Sequence, residues 1–196
     1  MPKRIGVYLF DDVEELDAVG PYEVLGAWTQ HWPDDGWEVT TFSQTGRPVR
    51  AAKGLVIHPH SSADDTPALD VLVYPGGSGT RPLANDDAHL AWVRTQRAAI
   101  PLLTSVCTGA LVFAAAGLLA GRPATTHWAA LDELRAIDPT VQVREGVRYV
   151  DDGDVITAAG SSAGIDMSLH LVARIVGEER ARNVRRVIQY DPEPPF

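Results

Sequence analysis

Cys107 is the only cysteine in the chain, and it sits in Pro101-Leu102-Leu103-Thr104-Ser105-Val106-Cys107-Thr108-Gly109-Ala110. An apolar run with strand character ends at the sulfur, and a small-residue run with helix character begins after it. A side chain on such a tight strand-to-helix turn has the first free amides of the helix beside it, which favour a thiolate over a thiol. Cys107 is therefore a candidate nucleophile, and the competing role is an inert, buried small hydrophobe.

Asp17 is the matching candidate acid. Asp11, Asp12, Glu14 and Glu15 read as solvated, but Asp17 lies between Leu16 and Ala18-Val19, just before Gly20-Pro21. Burial and a nearby thiolate would raise its pKa and let it donate a proton. The alternative is a cap for a helix starting at Pro21. A third segment, Pro75-Gly76-Gly77-Ser78-Gly79, would turn backbone amides into a shared space, either as an ordinary turn or as an anion-stabilising pocket. It lacks the length and the lysine of a phosphate-binding loop.

Thr108 follows the nucleophile, where its hydroxyl could hold a substrate atom or a water above the sulfur. No histidine stands at that position, where a cysteine hydrolase often carries one. His127 and Trp128, in Thr125-Thr126-His127-Trp128, could line a pocket wall or serve only the fold. His58-Pro59-His60 has no third ligand nearby, so no metal site is expected. His89 and His170 fall on predicted helices as surface or core residues.

These residues need a frame. Ile5–Phe10, Trp37–Phe42, Leu55–His58, Asp70–Tyr74 and Pro101–Val106 read as strands, and Val147–Val150 with Val155–Ala158 as a hairpin turned at Asp151-Asp152-Gly153-Asp154. Helices are predicted from a brief turn at Val13–Leu16, from Pro21 to Trp28, and over Ala88–Ala99, Thr108–Leu119, Ala129–Ile137, Ala163–Val176 and Glu178–Ile188, ahead of a proline-rich tail. Thr108–Leu119 is apolar almost all round and must be enclosed. The alternation predicts an α/β fold with a mostly parallel sheet covered on both faces and its site at the carboxyl ends of the strands.

At 196 residues one domain spanning 1–196 is expected, with a core that needs no disulfide or metal. A lone cysteine cannot close an intramolecular disulfide. Asp11 and Asp12 cut the first apolar run too short for a signal sequence, and no stretch reaches membrane-span length, so a soluble cytoplasmic protein is expected. The net charge of −9 argues against nucleic acid. The cluster Arg174, Arg180, Arg182, Arg185 and Arg186 is interrupted by Glu178 and Glu179 and reads as a solvated helix face.

Four segments together, Leu16–Val24, Val73–Gly77, Val106–Ala110 and Gly117–Trp128, with Ala159–Asp166 as a fifth, resemble the DJ-1/PfpI superfamily over nearly the whole chain, and within it the isocyanide hydratases. The resemblance implies a flavodoxin-like three-layer sandwich, related to class I glutamine amidotransferases, and a homodimer. It implies Cys107 as nucleophile on a strained elbow, Asp17 as acid and Thr108 as the neighbouring hydroxyl, with Gly76, Gly77, Ser78, His127 and Trp128 around the substrate. Peptidase, chaperone and glyoxalase or deglycase branches usually carry glutamate at the acidic position, and many place histidine after the cysteine. This chain departs from both. Regulators with an amidase-like N-terminal domain share Cys-Thr-Gly-Ala and Thr-Thr-His-Trp but continue into a helix-turn-helix domain, for which no room is expected before Phe196; a stand-alone ligand-sensing domain is the alternative.

A hydro-lyase acting on an isocyanide fits these residue types. The terminal carbon of R–N≡C accepts a nucleophile and must then gain a proton, so an acid matters more than an oxyanion hole. The expected product is an N-substituted formamide, reached through a cysteine thioimidate, with no cofactor and a small-molecule substrate as the partner.

Overall fold

The computed structural model describes residues 1–194; the last two positions of the proline-rich tail lie outside the described residues. In chain order the elements are β1 (Lys3–Leu9), α1 (Glu15–His31), β2 (Trp37–Ser43), β3 (Val49–Arg50), β4 (Val56–Ile57), β5 (Ser61–Ser62), β6 (Val71–Tyr74), α2 (Thr80–Leu83), α3 (Asp87–Ala99), β7 (Leu102–Val106), α4 (Gly109–Ala115), β8 (Pro123–Ala124), α5 (Leu131–Ile137), β9 (Gln142–Val143), β10 (Tyr149–Asp151), β11 (Val155–Ala158), α6 (Ala163–Val176) and α7 (Glu178–Val187).

The main sheet runs β10-β11-β7-β6-β1-β2-β5, parallel throughout except for β10 against β11. Helices α1, α6 and α7 pack together, while α4 meets α2, α3 and α5. This is the α/β sandwich the alternation predicts. The inner strands β6 and β7 are buried at every residue, as continuous apolar runs covered on two faces must be.

The register fixes where the reactive loops begin. Tyr74 lies opposite Ser105, and Val106 opposite Ala158. The chain therefore leaves β6, β7 and β11 at nearly one level, and the segments that follow, Pro75–Gly77, Cys107–Thr108 and Ala159–Gly160, converge there. This is the carboxyl edge where open α/β sheets place their sites.

Three expectations change. Val13–Leu16 and Pro21–Trp28 are not separate helices: α1 is continuous from Glu15 to His31 with Pro21 inside it. Proline at that position removes one helical hydrogen bond, and packing supports the chain there: a methyl group on Gly20 would lie 3.2 Å from Ile165, and one on Gly164 3.2 Å from Pro21. The helix after the elbow stops at Ala115, not Leu119, because Gly117 takes a left-handed φ of 81°. The Leu55–His58 strand shrinks to β4, which pairs antiparallel with β3 outside the main sheet.

Candidate active site

Cys107 occupies the turn between β7 and α4 with φ 56°, a left-handed conformation that costs a non-glycine residue free energy and persists only when its surroundings enforce it. The enforcing contacts are visible. The Cys107 amide donates to the carbonyls of Ala158 at 3.1 Å and Ala159 at 3.2 Å, and its carbonyl accepts from the Thr126 hydroxyl at 2.7 Å. Only 6% of Cys107 is exposed.

Asp17 points from the first turn of α1 to the same place and is fully buried. Its Oδ2 accepts the Gly76 amide at 3.1 Å, while Oδ1 has no hydrogen-bond partner among the described residues. Burial pushes the carboxyl up to about 7; the Cys107 side chain pulls it back, Glu14 adds like-charge repulsion, and Ser161 and the Gly76 amide again favour the anion. The upward shift was expected, but its causes are burial and Glu14, with no thiolate required.

The sulfur behaves differently from the expectation of a thiolate. Burial pushes the Cys107 thiol up to about 12, and the neighbouring Asp17 charge adds to this. The amide and hydroxyl of Thr108 favour the thiolate but do not prevail. The resting pair therefore holds a proton on sulfur, beside a carboxyl poised near neutrality.

The Gly76-Gly77 loop is fixed on both sides. A β-carbon on Gly76 would lie 2.5 Å from the Thr108 amide nitrogen, 2.8 Å from Asp17 Oδ2 and 2.8 Å from Cys107 Cβ. Only glycine permits that three-way approach. Gly77, at φ 128°, pairs with Val13 and packs against Asp12 and Glu14. Its amide donates to the Thr108 hydroxyl at 2.9 Å, which also lies 3.0 Å from the Thr80 hydroxyl. The two loop amides read as an anion pocket are thus already engaged, by Asp17 and by Thr108. Thr108 ties the loop to the elbow, and its hydroxyl does not stand free above the sulfur.

His127 is brought to the site from a distant segment. A β-carbon on Gly160 would collide with the His127 ring and lie 3.0 Å from Cys107 Sγ, so the imidazole and the sulfur flank the same bare backbone position. Nδ1 of His127 accepts the Ala129 amide at 3.2 Å, which leaves Nε2 to carry the proton in the neutral ring. Trp128 lies beside it in a tilted pair with ring centroids 5.5 Å apart and is 78% exposed. Ser78 is exposed on the turn into α2 and makes no side-chain hydrogen bond to Asp17, Cys107 or Thr108 among the described residues. Ser161, just ahead of α6, also faces the Asp17 carboxyl.

The remaining histidines lie elsewhere. His60 Nδ1 accepts the Thr41 amide at 3.0 Å, and with His58, Val19, Tyr22, Leu55 and Val56 it lines a cavity of about 350 Å³. His89 bonds the Tyr74 hydroxyl at 2.7 Å in the core, and His170 meets Asp151. Among the described residues no group of three or more His, Cys, Asp or Glu side chains is placed to hold a metal, and no helix is long and apolar enough to cross a membrane. Arg174, Arg180, Arg182 and Arg185 each pair with a carboxylate.

An isonitrile hydratase of Pseudomonas putida is 40% identical over 196 residues, covering 100% of this chain and 82% of that protein. The HTH-type transcriptional regulator GbdR of Pseudomonas aeruginosa is 30% identical over 97% of this chain, which spans about half of the regulator, 51% of its length. Among solved structures, a ThiJ/PfpI family protein from Pseudomonas syringae superposes with a TM-score of 0.89 at 33% identity, over 100% of this chain and 78% of that one. Drosophila melanogaster DJ-1beta shares the fold, with a TM-score of 0.81 at 22% identity over 97% of this chain and 100% of that one. The DJ-1/PfpI family model matches residues 3–174. With a strained cysteine elbow, a buried acid and a glycine loop set on this sheet, and with that match over most of its length, the chain belongs to the DJ-1/PfpI family.

Proposed function

We propose that the protein is an isocyanide hydratase. The observation that carries this reading is the buried pairing of Asp17 with the Cys107 thiol, in a site whose Gly76 and Gly77 amides are already engaged. Acyl transfer depends on donors aimed at a developing oxyanion. Addition to an isocyanide depends instead on moving one proton between sulfur and carbon.

In the first half-reaction Cys107 Sγ bonds to the terminal carbon of R–N≡C as its proton passes to Asp17. Asp17 returns that proton to the same carbon, giving the thioimidate R–N=CH–S–Cys107. In the second half, Asp17 takes a proton from water as the water oxygen adds to the carbon. Asp17 gives that proton to the nitrogen, the C–S bond breaks with the electron pair leaving on sulfur, and the hydroxyl proton passes by way of Asp17 to the Cys107 sulfur. The sum is R–N≡C plus water to R–NH–CHO. Thr108 acts in this scheme as a positioning residue that holds Gly77 and presents its amide to sulfur. His127, Trp128 and Ser78 are assigned to the substrate side, and the exposed Trp128 favours an apolar R group.

The reaction needs no cofactor in this scheme. The same reading takes the protein as a cytoplasmic homodimer; exposed Leu16, Val19, Leu55 and Val56 offer an apolar surface suited to a second copy. The deciding experiment incubates purified protein with an alkyl isocyanide and follows the N-substituted formamide by mass. Absence of product would overturn the reading. The similarity to half of a transcriptional regulator favours a second reading, a ligand-sensing domain. Its signature is no turnover with isocyanide, methylglyoxal or peptide, together with a ligand-induced rise in Tm.

A further inference from the structure

The short β3–β4 hairpin is latched onto the segment that leads into α1. The Arg50 amide donates to Asp11 Oδ1 at 2.9 Å, the Asp12 amide to the Arg50 carbonyl at 2.8 Å, and the Ala52 amide to the Val13 carbonyl at 2.9 Å. At the tip, the Lys53 amide donates to Glu15 Oε1 at 2.6 Å. The Lys53 ammonium pairs with Glu14 and reaches Glu15 at 3.5 Å. Glu14 closes the first turn, its carbonyl accepting the Asp17 amide at 3.1 Å.

We propose that Lys53 is a positioning residue that sets the working protonation of Asp17 by holding Glu14 in an ion pair. The inference rests on the reading of Asp17 and Cys107 as a proton-sharing pair. The Gly76 amide after β6, the Cys107 thiol after β7 and Ser161 before α6 lie at the Asp17 carboxyl, and Glu14, three residues earlier and bonded to the Asp17 amide through its carbonyl, adds its charge to the same group. Glu14 is the one among them that adds like charge in the resting state. Its carboxylate repels a second negative charge on Asp17, and a cation bound to Glu14 reduces that repulsion. The hairpin thus connects a surface lysine, 67% exposed at its side chain, to a carboxyl with no exposure at all.

The test uses the single cysteine of the chain. The rate of Cys107 alkylation by iodoacetamide, followed against pH, should show a step as Asp17 ionises. K53M leaves Glu14 unpaired and should move the midpoint up by about half a pH unit, the scale of an exposed pair. E14Q should move it down, K53R should keep the wild-type midpoint, and K53M should have no further effect in an E14Q background. An unchanged midpoint in K53M, or a further shift when it is added to E14Q, overturns the role of Lys53. The D17N variant separates the two levels. If the step persists in D17N, the proton-sharing pair and this proposal fall together. If the step vanishes in D17N but stays fixed in K53M, only the Lys53 proposal falls.

Discussion

Asp17 and Gly76, 59 residues apart in the chain, are joined by a 3.1 Å hydrogen bond from the glycine amide to the carboxyl oxygen. This bond fixes the carboxyl on the loop that also abuts Cys107, and it leaves the second carboxyl oxygen without a partner among the described residues. Asp17 is therefore held in position yet remains strongly inclined to take up a proton.

Replacing that acid should separate activity from stability. D17N keeps the shape and removes the proton-transfer group, so formamide production should fall at least about 100-fold. The folded-state pKa of Asp17 is raised, so ionisation is harder in the fold than in the unfolded chain, and wild-type stability declines as pH rises from about 4 to about 7. Denaturant titration should find D17N more stable than wild type above pH 7, by about 2–4 kcal/mol, with the gap closing below pH 4. Equal stabilities at pH 8 would remove the raised pKa.

Turnover should follow the same ionisation. The Asp17 carboxylate must accept the thiol proton, so kcat/KM should rise with pH through a midpoint near 7. A flat profile between pH 5 and 9 would exclude Asp17 as the base.

Cys107→Ser should abolish turnover while circular dichroism and Tm stay near wild type, since the hydroxyl is a poorer nucleophile in the same packing space. Substantial formamide from this variant would end the nucleophile assignment.

Thr108→Val should unfasten the glycine loop, because it removes the acceptor of the Gly77 amide. Leaving that amide unsatisfied costs about 1–3 kcal/mol, and Thr108→Ser should restore both stability and activity. If Thr108→Val lowers turnover with no loss of stability, the hydroxyl acts on substrate and not on the loop.

Gly160→Ala places a methyl group against the His127 ring and 3.0 Å from the sulfur. Isocyanide turnover and iodoacetamide labelling should both fall at least tenfold, with Tm altered by only a few degrees. Undiminished labelling would show that Cys107 is approached from another side.

Much of this arrangement is legible in the sequence, and for a local reason. The elbow at Cys107, the Pro75–Gly79 loop and the apolar setting of Asp17 each lie within a few residues, where periodicity and turn chemistry act. Contacts between distant segments are not legible in that way. Pro21 reads as a break because its missing amide is a local fact, whereas the packing of Gly164 and Ile165 against that part of α1 is not. Thr108 reads as a free hydroxyl because Gly77 and Thr80, its partners, are about 30 residues away. The absence of histidine beside Cys107 is real in the chain, yet His127 comes to the far side of Gly160 through the fold. The hairpin's hold on Glu14 and Glu15 carries no local signature.

The crowding at Gly76, where Asp17, Cys107 and the Thr108 backbone leave no space for a β-carbon, also divides the molecule by its freedom to vary. Inherited change at position 76 would disturb the chemistry of every substrate at once. Ser78 and Trp128 stand in the open on the same carboxyl edge, outside that crowding. Under the proposed hydratase reading, divergence among descendants of this chain should therefore appear first as altered substrate choice at those two positions, with the reaction itself inherited unchanged.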